Sequence, residues 1–180
     1  LLLVLLLLPA AALASSTAVV RNATTGSAYT SLADAVSKVD GAAVTAVASK
    51  STERAETFAK ENNIPDFYGN YEDMLKRDDI DAVYIATTMN YHYENILECL
   101  KWNKHVLCEK CMVLNYSQAE EVFTLAKQKK LFLMECMWVR FLPKTQKVKQ
   151  WIDEGRIGKL KLAQGNLGFN APFDPNSRMY

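Results

Sequence analysis

The sequence predicts a doubly wound α/β fold, a parallel sheet with helices on both faces. Two observations carry this. Short runs that are apolar at almost every position, such as "AAVTAVAS" and "IDAVYIAT", alternate with stretches whose apolar residues stand three and four apart. Strands apolar on both faces belong to parallel sheets that helices cover on each side. The second observation is capacity: 180 residues, 49% of them hydrophobic, suffice for one substantial core and the start of another domain.

Taken in order, the elements begin with "LLLVLLLLPAAALASS", an apolar run short for a bilayer span that ends in Ala12, Leu13 and Ala14. It resembles the h-region and cleavage site of a secretory signal, so residues 1–14 are set apart as a signal-like segment. Secretory-pathway localisation follows if the segment works as a signal, and a cytoplasmic one if it does not. Without an initiating Met or a basic n-region the chain reads as truncated at its start. Two sequons, Asn22-Ala23-Thr24 and Asn115-Tyr116-Ser117, fit secretion but arise often by chance.

Leu32, Ala35, Val36 and Val39 have helical spacing, and "AAVTAVAS" follows as a strand ending at Ser49. Ala55, Phe58 and Ala59 mark the next helix, "YEDML" a short one, and Ile80 to Thr87 a strand. Tyr93, Ile96, Leu97 and Leu100 form a further helical stripe, and "HVLCE" a further strand. An S-x-x-E capping box at Ser117 to Glu120 then opens a helix with Ala119, Val122, Phe123 and Ala126 facing inward, before the strand "LFLME". This gives a dinucleotide-binding type of domain over 18–138, incomplete at its start, and the beginning of a second domain over 139–180.

Charge excludes some partners. Twenty-one basic against twenty acidic residues leave +1, no field to gather nucleic acid or a membrane surface. The late lysines Lys144, Lys147, Lys149, Lys159 and Lys161 alternate with Val148, Trp151, Ile152, Leu160 and Leu162, the pattern of an amphipathic helix and then a strand.

In doubly wound sheets ligands sit beyond the carboxyl ends of the strands. The residues there are Ser49 and Lys50, Thr87 and Thr88, Glu109 and Lys110, and Cys136 to Arg140. A partly desolvated lysine at such a mouth has its pKa lowered toward the range useful for proton transfer at a carbinol or carbonyl. Cys108 and Cys111, either side of that lysine, form a C-x-x-C pair. A zinc site would also need Cys99 and Cys136 nearby, and a redox pair would sit at a helix N-terminus. Cys108 lies inside an apolar strand instead, so the expectation is two structural thiols and no metal. His105, at the far end of the strand, reads as a surface residue.

"TAVASKS", "YGNYEDML", "IDAVYIATTMNYHYENILECLKWNKHVLCEKCMVLN", "LFLMECMWVRFLP" and "IDEGRIGKL" together resemble the glucose-fructose oxidoreductase, inositol dehydrogenase and MocA family, and within it the dihydrodiol dehydrogenase and D-xylose dehydrogenase branch. The likeness runs from about Tyr29 to the last residues. It implies an NADP-dependent oxidoreductase, NAD being the weaker expectation, that moves a hydride between nicotinamide and the CH–OH of a sugar, polyol or trans-dihydrodiol. It also implies a homodimer in the complete protein. The family's Glu-Lys-Pro motif reads Glu109-Lys110-Cys111 here, which makes Lys110 the catalytic acid/base and leaves it without the restraint of a following proline. The resemblance assigns Ser49, Lys50 and Arg54 to the adenosine end, where a cation in place of a carboxylate suits a 2′-phosphate. Thr87, Thr88 and His92 are assigned to the nicotinamide ribose and cofactor pocket, and Trp138 and Arg140, in a W-x-R-F segment, to nicotinamide and substrate. The G-x-G-x-x-G/A fingerprint, expected in "AVVRNATTGSAYTSLAD", keeps only Gly26. "KLKLAQGNLGF" resembles the first strand of the family's second domain, and "FNAPFDPNSRMY" falls where the family continues into a Gly-rich segment. The chain therefore reads as a fragment. The competing readings are a non-catalytic nucleotide- or partner-binding remnant of the family, and the cysteine-based metal or redox protein.

Overall fold

A computed structural model describes residues 2–6, 20–21, 28–29, 43–166 and 168 of the chain. The chain divides into two compact units, Leu1–Met137 and Trp138–Tyr180. In the first, β1 (Leu2–Leu6) and β4 (Ala43–Ala48) are followed by α1 (Thr52–Glu61), β5 (Asp66–Tyr68), α2 (Tyr71–Leu75), β6 (Ala82–Ile85), a 3-10 turn (Met89–Tyr91), α3 (His92–Lys101), β7 (His105–Cys108), α4 (Tyr116–Gln128) and β8 (Leu133–Glu135). Between β1 and β4, β2 (Val20–Arg21) and β3 (Ala28–Tyr29) pair antiparallel as a separate ribbon.

The six-stranded sheet runs β5-β4-β1-β6-β7-β8, with every pairing parallel. From β1 the chain winds out through β4 and β5 to one edge, then returns to β6 and winds to the other. This is the doubly wound order, with its switch point at β1. Adjacent residues of β4 serve opposite faces: Ala46 and Ala48 pack with Met74, Leu75, Ile96 and Val122, while Val47 packs with Ala59 and Ile64. Both faces are covered, which is why the strand is apolar at consecutive positions.

Several elements differ from those read in the sequence. Leu2–Leu6, inside the run read as signal-like, forms the central strand, because an h-region and a central parallel strand draw on the same residues. The first compact unit accordingly reaches back past residue 18 to include it. Tyr29 ends a short strand. The expected helix at 32–39 and Gly26 lie outside the described residues. The strand β5, unread in the sequence, joins the edge as Asp66, Phe67 and Tyr68 pair with β4. Helix α4 starts two residues earlier than the S-x-x-E box implies: Asn115 Oδ1 accepts from the Gln118 amide at 3.0 Å, and Gln118 Oε1 accepts from the Leu114 amide at 3.0 Å. Asn caps as well as Ser, so the earlier pair wins the terminus.

In the second unit a 3-10 turn (Trp138–Phe141) precedes α5 (Pro143–Asp153), which has Pro143 at its first position. The strand expected at Lys159 to Leu162 is absent; these residues are exposed and have no regular structure. A lone strand leaves its backbone groups without a ladder, and no partner strand exists among the described residues. No helix among them is long and apolar enough to cross a membrane.

Candidate active site

The carboxyl ends of β4, β6, β7 and β8 define the crevice side of the first unit. Ser49 directly follows β4. It is buried, its amide donates to the Tyr68 carbonyl at 3.0 Å, and its hydroxyl accepts from the Ser51 amide at 3.3 Å. Ser51 in turn caps α1 by accepting from the Arg54 amide at 3.3 Å. Lys50, between these two anchored serines, is exposed, and its ammonium stands 4.1 Å from the centroid of the Tyr91 ring. No carboxylate occupies the strand end.

Arg54 is exposed on the first turn of α1. Burial pushes the nearby Tyr71 phenol above its usual range. Arg54 acts against that rise, while Glu98 and Tyr91 add to it. Lys50, Arg54, Tyr71 and Tyr91 therefore form one neighbourhood.

Past β6, Thr87 is buried and its hydroxyl accepts from Asn95 Nδ2 at 2.9 Å. Thr88 is half-buried and its carbonyl accepts from the Tyr91 amide at 2.9 Å, closing the 3-10 turn. His92, the first residue of α3, is 1% exposed. Its Nε2 lies 2.9 Å from the Thr87 carbonyl oxygen and its Nδ1 2.8 Å from the Cys111 carbonyl oxygen. A carbonyl only accepts and a neutral imidazole carries one N–H, so the ring donates to one of these two carbonyls, the tautomer deciding which. Both ring nitrogens of His92, which the resemblance assigns to the cofactor pocket, face carbonyls of the protein's own backbone. His92 ties the segment after β6 to the segment after β7.

Lys110 follows Glu109 directly beyond β7 and is exposed. The segment carrying it is held at several points. The Glu109 amide donates to the Ile85 carbonyl at 2.9 Å, the Lys110 amide to Glu109 Oε2 at 3.2 Å, and the Met112 amide to Glu135 Oε1 at 2.9 Å. The Tyr84 hydroxyl donates to Glu109 Oε1. Burial pushes the Tyr84 phenol far above its usual range, and the Glu109 carboxylate adds to the effect. Burial likewise raises the Cys136 thiol to about 11, with Glu109 contributing further. Tyr84, Glu109 and Cys136 thus form a group toward the ends of three neighbouring strands, in which the phenol and the thiol hold their protons tightly.

Sequence reasoning missed Tyr84 and Glu135. Tyr84 had one signal, a polar-tipped ring inside an otherwise apolar strand. Glu135 had a carboxylate at a strand end. His105, expected at the surface, is half-buried, and its Nδ1 accepts from the Phe132 amide at 2.9 Å, aligning β7 with the approach to β8.

Cys108 is buried in β7, Cys111 is exposed, and Cys99, Cys108, Cys111 and Cys136 are all free thiols. Burial raises Cys108 and Cys99 well above the usual thiol range, which disfavours the thiolate that a metal or a disulfide exchange requires. Among the described residues no group of three His, Cys, Asp or Glu is placed to hold a metal ion. Trp138 and Arg140 lie in the second unit, exposed on its 3-10 turn, where Arg140 lines a groove with Thr145, Lys149 and Asp153.

A family model described as an oxidoreductase family with an NAD-binding Rossmann fold matches residues 21–136. The chain is similar to trans-1,2-dihydrobenzene-1,2-diol dehydrogenase of Mus musculus, 38% identical over 134 residues, which are 74% of this chain and 40% of that protein. The protein of the same name from Homo sapiens is 35% identical over 127 residues, 71% of this chain and 38% of that protein. The chain therefore spans about two-fifths of the length of these curated relatives. Among solved structures it is similar to a point mutant of KijD10, a 3-ketoreductase from Actinomadura kijaniata in complex with TDP-benzene and NADP. The TM-score is 0.67 at 29% identity, covering 88% of this chain and 43% of that one. Apo scyllo-inositol dehydrogenase from Lactobacillus casei matches with a TM-score of 0.67 at 23% identity, over 87% of this chain and 42% of that one, a likeness of fold.

Proposed function

Since this chain belongs to the oxidoreductase family built on an NAD-binding Rossmann fold, we propose that it is the nucleotide-binding part of an NADP-dependent dehydrogenase acting on the CH–OH of a sugar, polyol or trans-dihydrodiol. The observation that carries the reading is Lys110, exposed one residue past Glu109 at the carboxyl end of β7, in a segment pinned by His92, Glu109 and Glu135. A lysine held there exchanges the proton of the substrate hydroxyl. The dinucleotide, when bound, supplies or accepts the hydride.

The residues fit that cofactor at its adenosine end. Lys50 stands past β4 beside the buried Ser49, with no carboxylate at the strand end to select a free 2′-OH. The turn after β1, where a phosphate cradle belongs in this fold, lies outside the described residues. The mouse relative's name gives a trans-dihydrodiol as a substrate class, and the ketoreductase was solved with NADP. Both support the same reading for this chain. The complete enzyme works as a homodimer, and residues 1–180 alone give no turnover, because most of the substrate wall belongs to the rest of the protein.

Fluorescence titration tests the cofactor preference. The expected result is tighter binding of NADPH than NADH, with Lys50→Asp reversing or abolishing the difference. A charge-assisted phosphate contact contributes roughly 1.5–3 kcal/mol, a factor of about ten or more in affinity. Equal affinity for the two before and after the substitution removes the NADP assignment.

A further inference from the structure

Lys50 follows β4 and Tyr91 follows β6, and these strands are not neighbours: β1 lies between them. Two strand spacings amount to about 10 Å, yet the Lys50 ammonium is 4.1 Å from the Tyr91 ring centroid. The two side chains therefore meet across the switch point of the sheet, the place where a doubly wound fold takes a dinucleotide.

Both ends of this contact are anchored. Lys50 sits between Ser49, bonded to Tyr68, and Ser51, the cap of α1. Tyr91 is held by the hydrogen bond that its amide donates to the Thr88 carbonyl, and it leads directly into the buried His92. Among the described residues Lys50 makes no ion pair, although several exposed lysines do. The difference matters chemically. A carboxylate partner would neutralise the ammonium and compete with an incoming anion. An aromatic face orients the ammonium while leaving its charge and its N–H donors available. It also removes, before binding, some of the rotamer freedom that a lysine otherwise loses on contact with a ligand.

Resting on the NADP reading above, we propose that Tyr91 is a specificity-determining positioning residue, whose ring holds the Lys50 ammonium across the switch point ready for the 2′-phosphate of the dinucleotide. Tyr91 itself supplies no charge to the phosphate. It acts through Lys50, so its effect belongs to NADPH and vanishes when Lys50 is removed. Arg54, in the same neighbourhood through Tyr71, is a second cation that this arrangement leaves on α1.

The test is a double-mutant cycle in the full chain, with NADPH and NADH affinities read by fluorescence titration for Tyr91→Leu, Tyr91→Phe, Lys50→Met and Lys50→Met with Tyr91→Leu. Tyr91 is 41% exposed, so its replacement leaves the core intact. Tyr91→Leu is expected to weaken NADPH about two- to five-fold, the scale of an exposed cation–π contact, and to leave NADH unchanged. Tyr91→Phe keeps the aromatic face and should match the unsubstituted chain. In the Lys50→Met background, Tyr91→Leu should have no further effect. Without any cofactor, the ring should shift the Lys50 side-chain methylene protons upfield in NMR spectra, a shift lost in Tyr91→Leu and retained in Tyr91→Phe. Equal losses for both dinucleotides, or a loss that persists without Lys50, overturn the proposal, since the ring would then serve the adenosine in general. A preference that Lys50→Met abolishes and Tyr91→Leu leaves untouched also overturns it, while the NADP reading stands. A chain with no preference at all, indifferent to Lys50→Met, removes both.

Discussion

His92 shows how one side chain can order two segments. Its ring joins the Thr87 and Cys111 carbonyls, so the placement of Lys110 depends on a residue eighteen positions earlier in the chain. His92→Phe fills similar space but removes the one N–H that the ring gives to these carbonyls. The expected cost is about 1–3 kcal/mol for the acceptor left buried without a donor, with faster amide hydrogen exchange concentrated at 109–113. Unchanged protection of that segment would separate His92 from the placement of Lys110. The identity of this histidine was legible in the sequence; its partners were not. They are backbone atoms brought together by the pairing of β6 with β7, and no spacing rule encodes them. The same holds for Glu135, which reaches the Met112 amide from the next strand.

At the scale of elements, the helices end more uniformly than they begin. Helices α1, α3, α4 and α5 finish with Asn63, Asn103, Lys130 and Gly155 in left-handed conformation, at φ of 53°, 58°, 58° and 71°. In each the following amide returns to a carbonyl five residues back: Ile64 to Ala59, Lys104 to Cys99, Leu131 to Ala126 and Arg156 to Trp151, all at 2.9–3.0 Å. This is the Schellman arrangement. Gly and Asn accept the left-handed region readily, whereas Lys130 has no short polar side chain to favour it. Lys130→Gly is therefore expected to stabilise the protein by about 1 kcal/mol, seen as a higher urea midpoint at unchanged slope. A lower midpoint would contradict this. From β4 onward the alternation of elements was legible, because two periods of hydrophobicity differ plainly. The Leu-rich β1 has no period to read, and β5 is three residues opening on an aspartate.

Stability of the whole molecule depends on pH in a direction set by the crevice. Burial raises Cys136 from 9.0 to about 11, and raises Tyr84, Cys99 and Cys108 as well. The folded state holds these protons more tightly than the unfolded chain. The Cys136 contribution is complete below about pH 9 and is lost as pH rises through about 11, while the more strongly raised groups go on losing theirs at higher pH. The melting temperature should fall over that window, and Cys136→Ser should make the fall shallower. A melting temperature independent of pH between 9 and 11 would show that these groups are accessible in the folded protein.

Hydride transfer supported by Lys110 is the central claim, and deuterium transfer tests it most directly. A protein of the full length of the curated relatives, carrying these residues, is incubated with NADP+ and a trans-dihydrodiol or aldose deuterated at the carbinol carbon, and the nicotinamide is analysed by mass spectrometry. The prediction is one deuterium on the nicotinamide, formed about 100-fold or more slowly in Lys110→Met with NADPH affinity retained. Absence of deuterium from the nicotinamide, or transfer indifferent to Lys110→Met, would contradict the assignment.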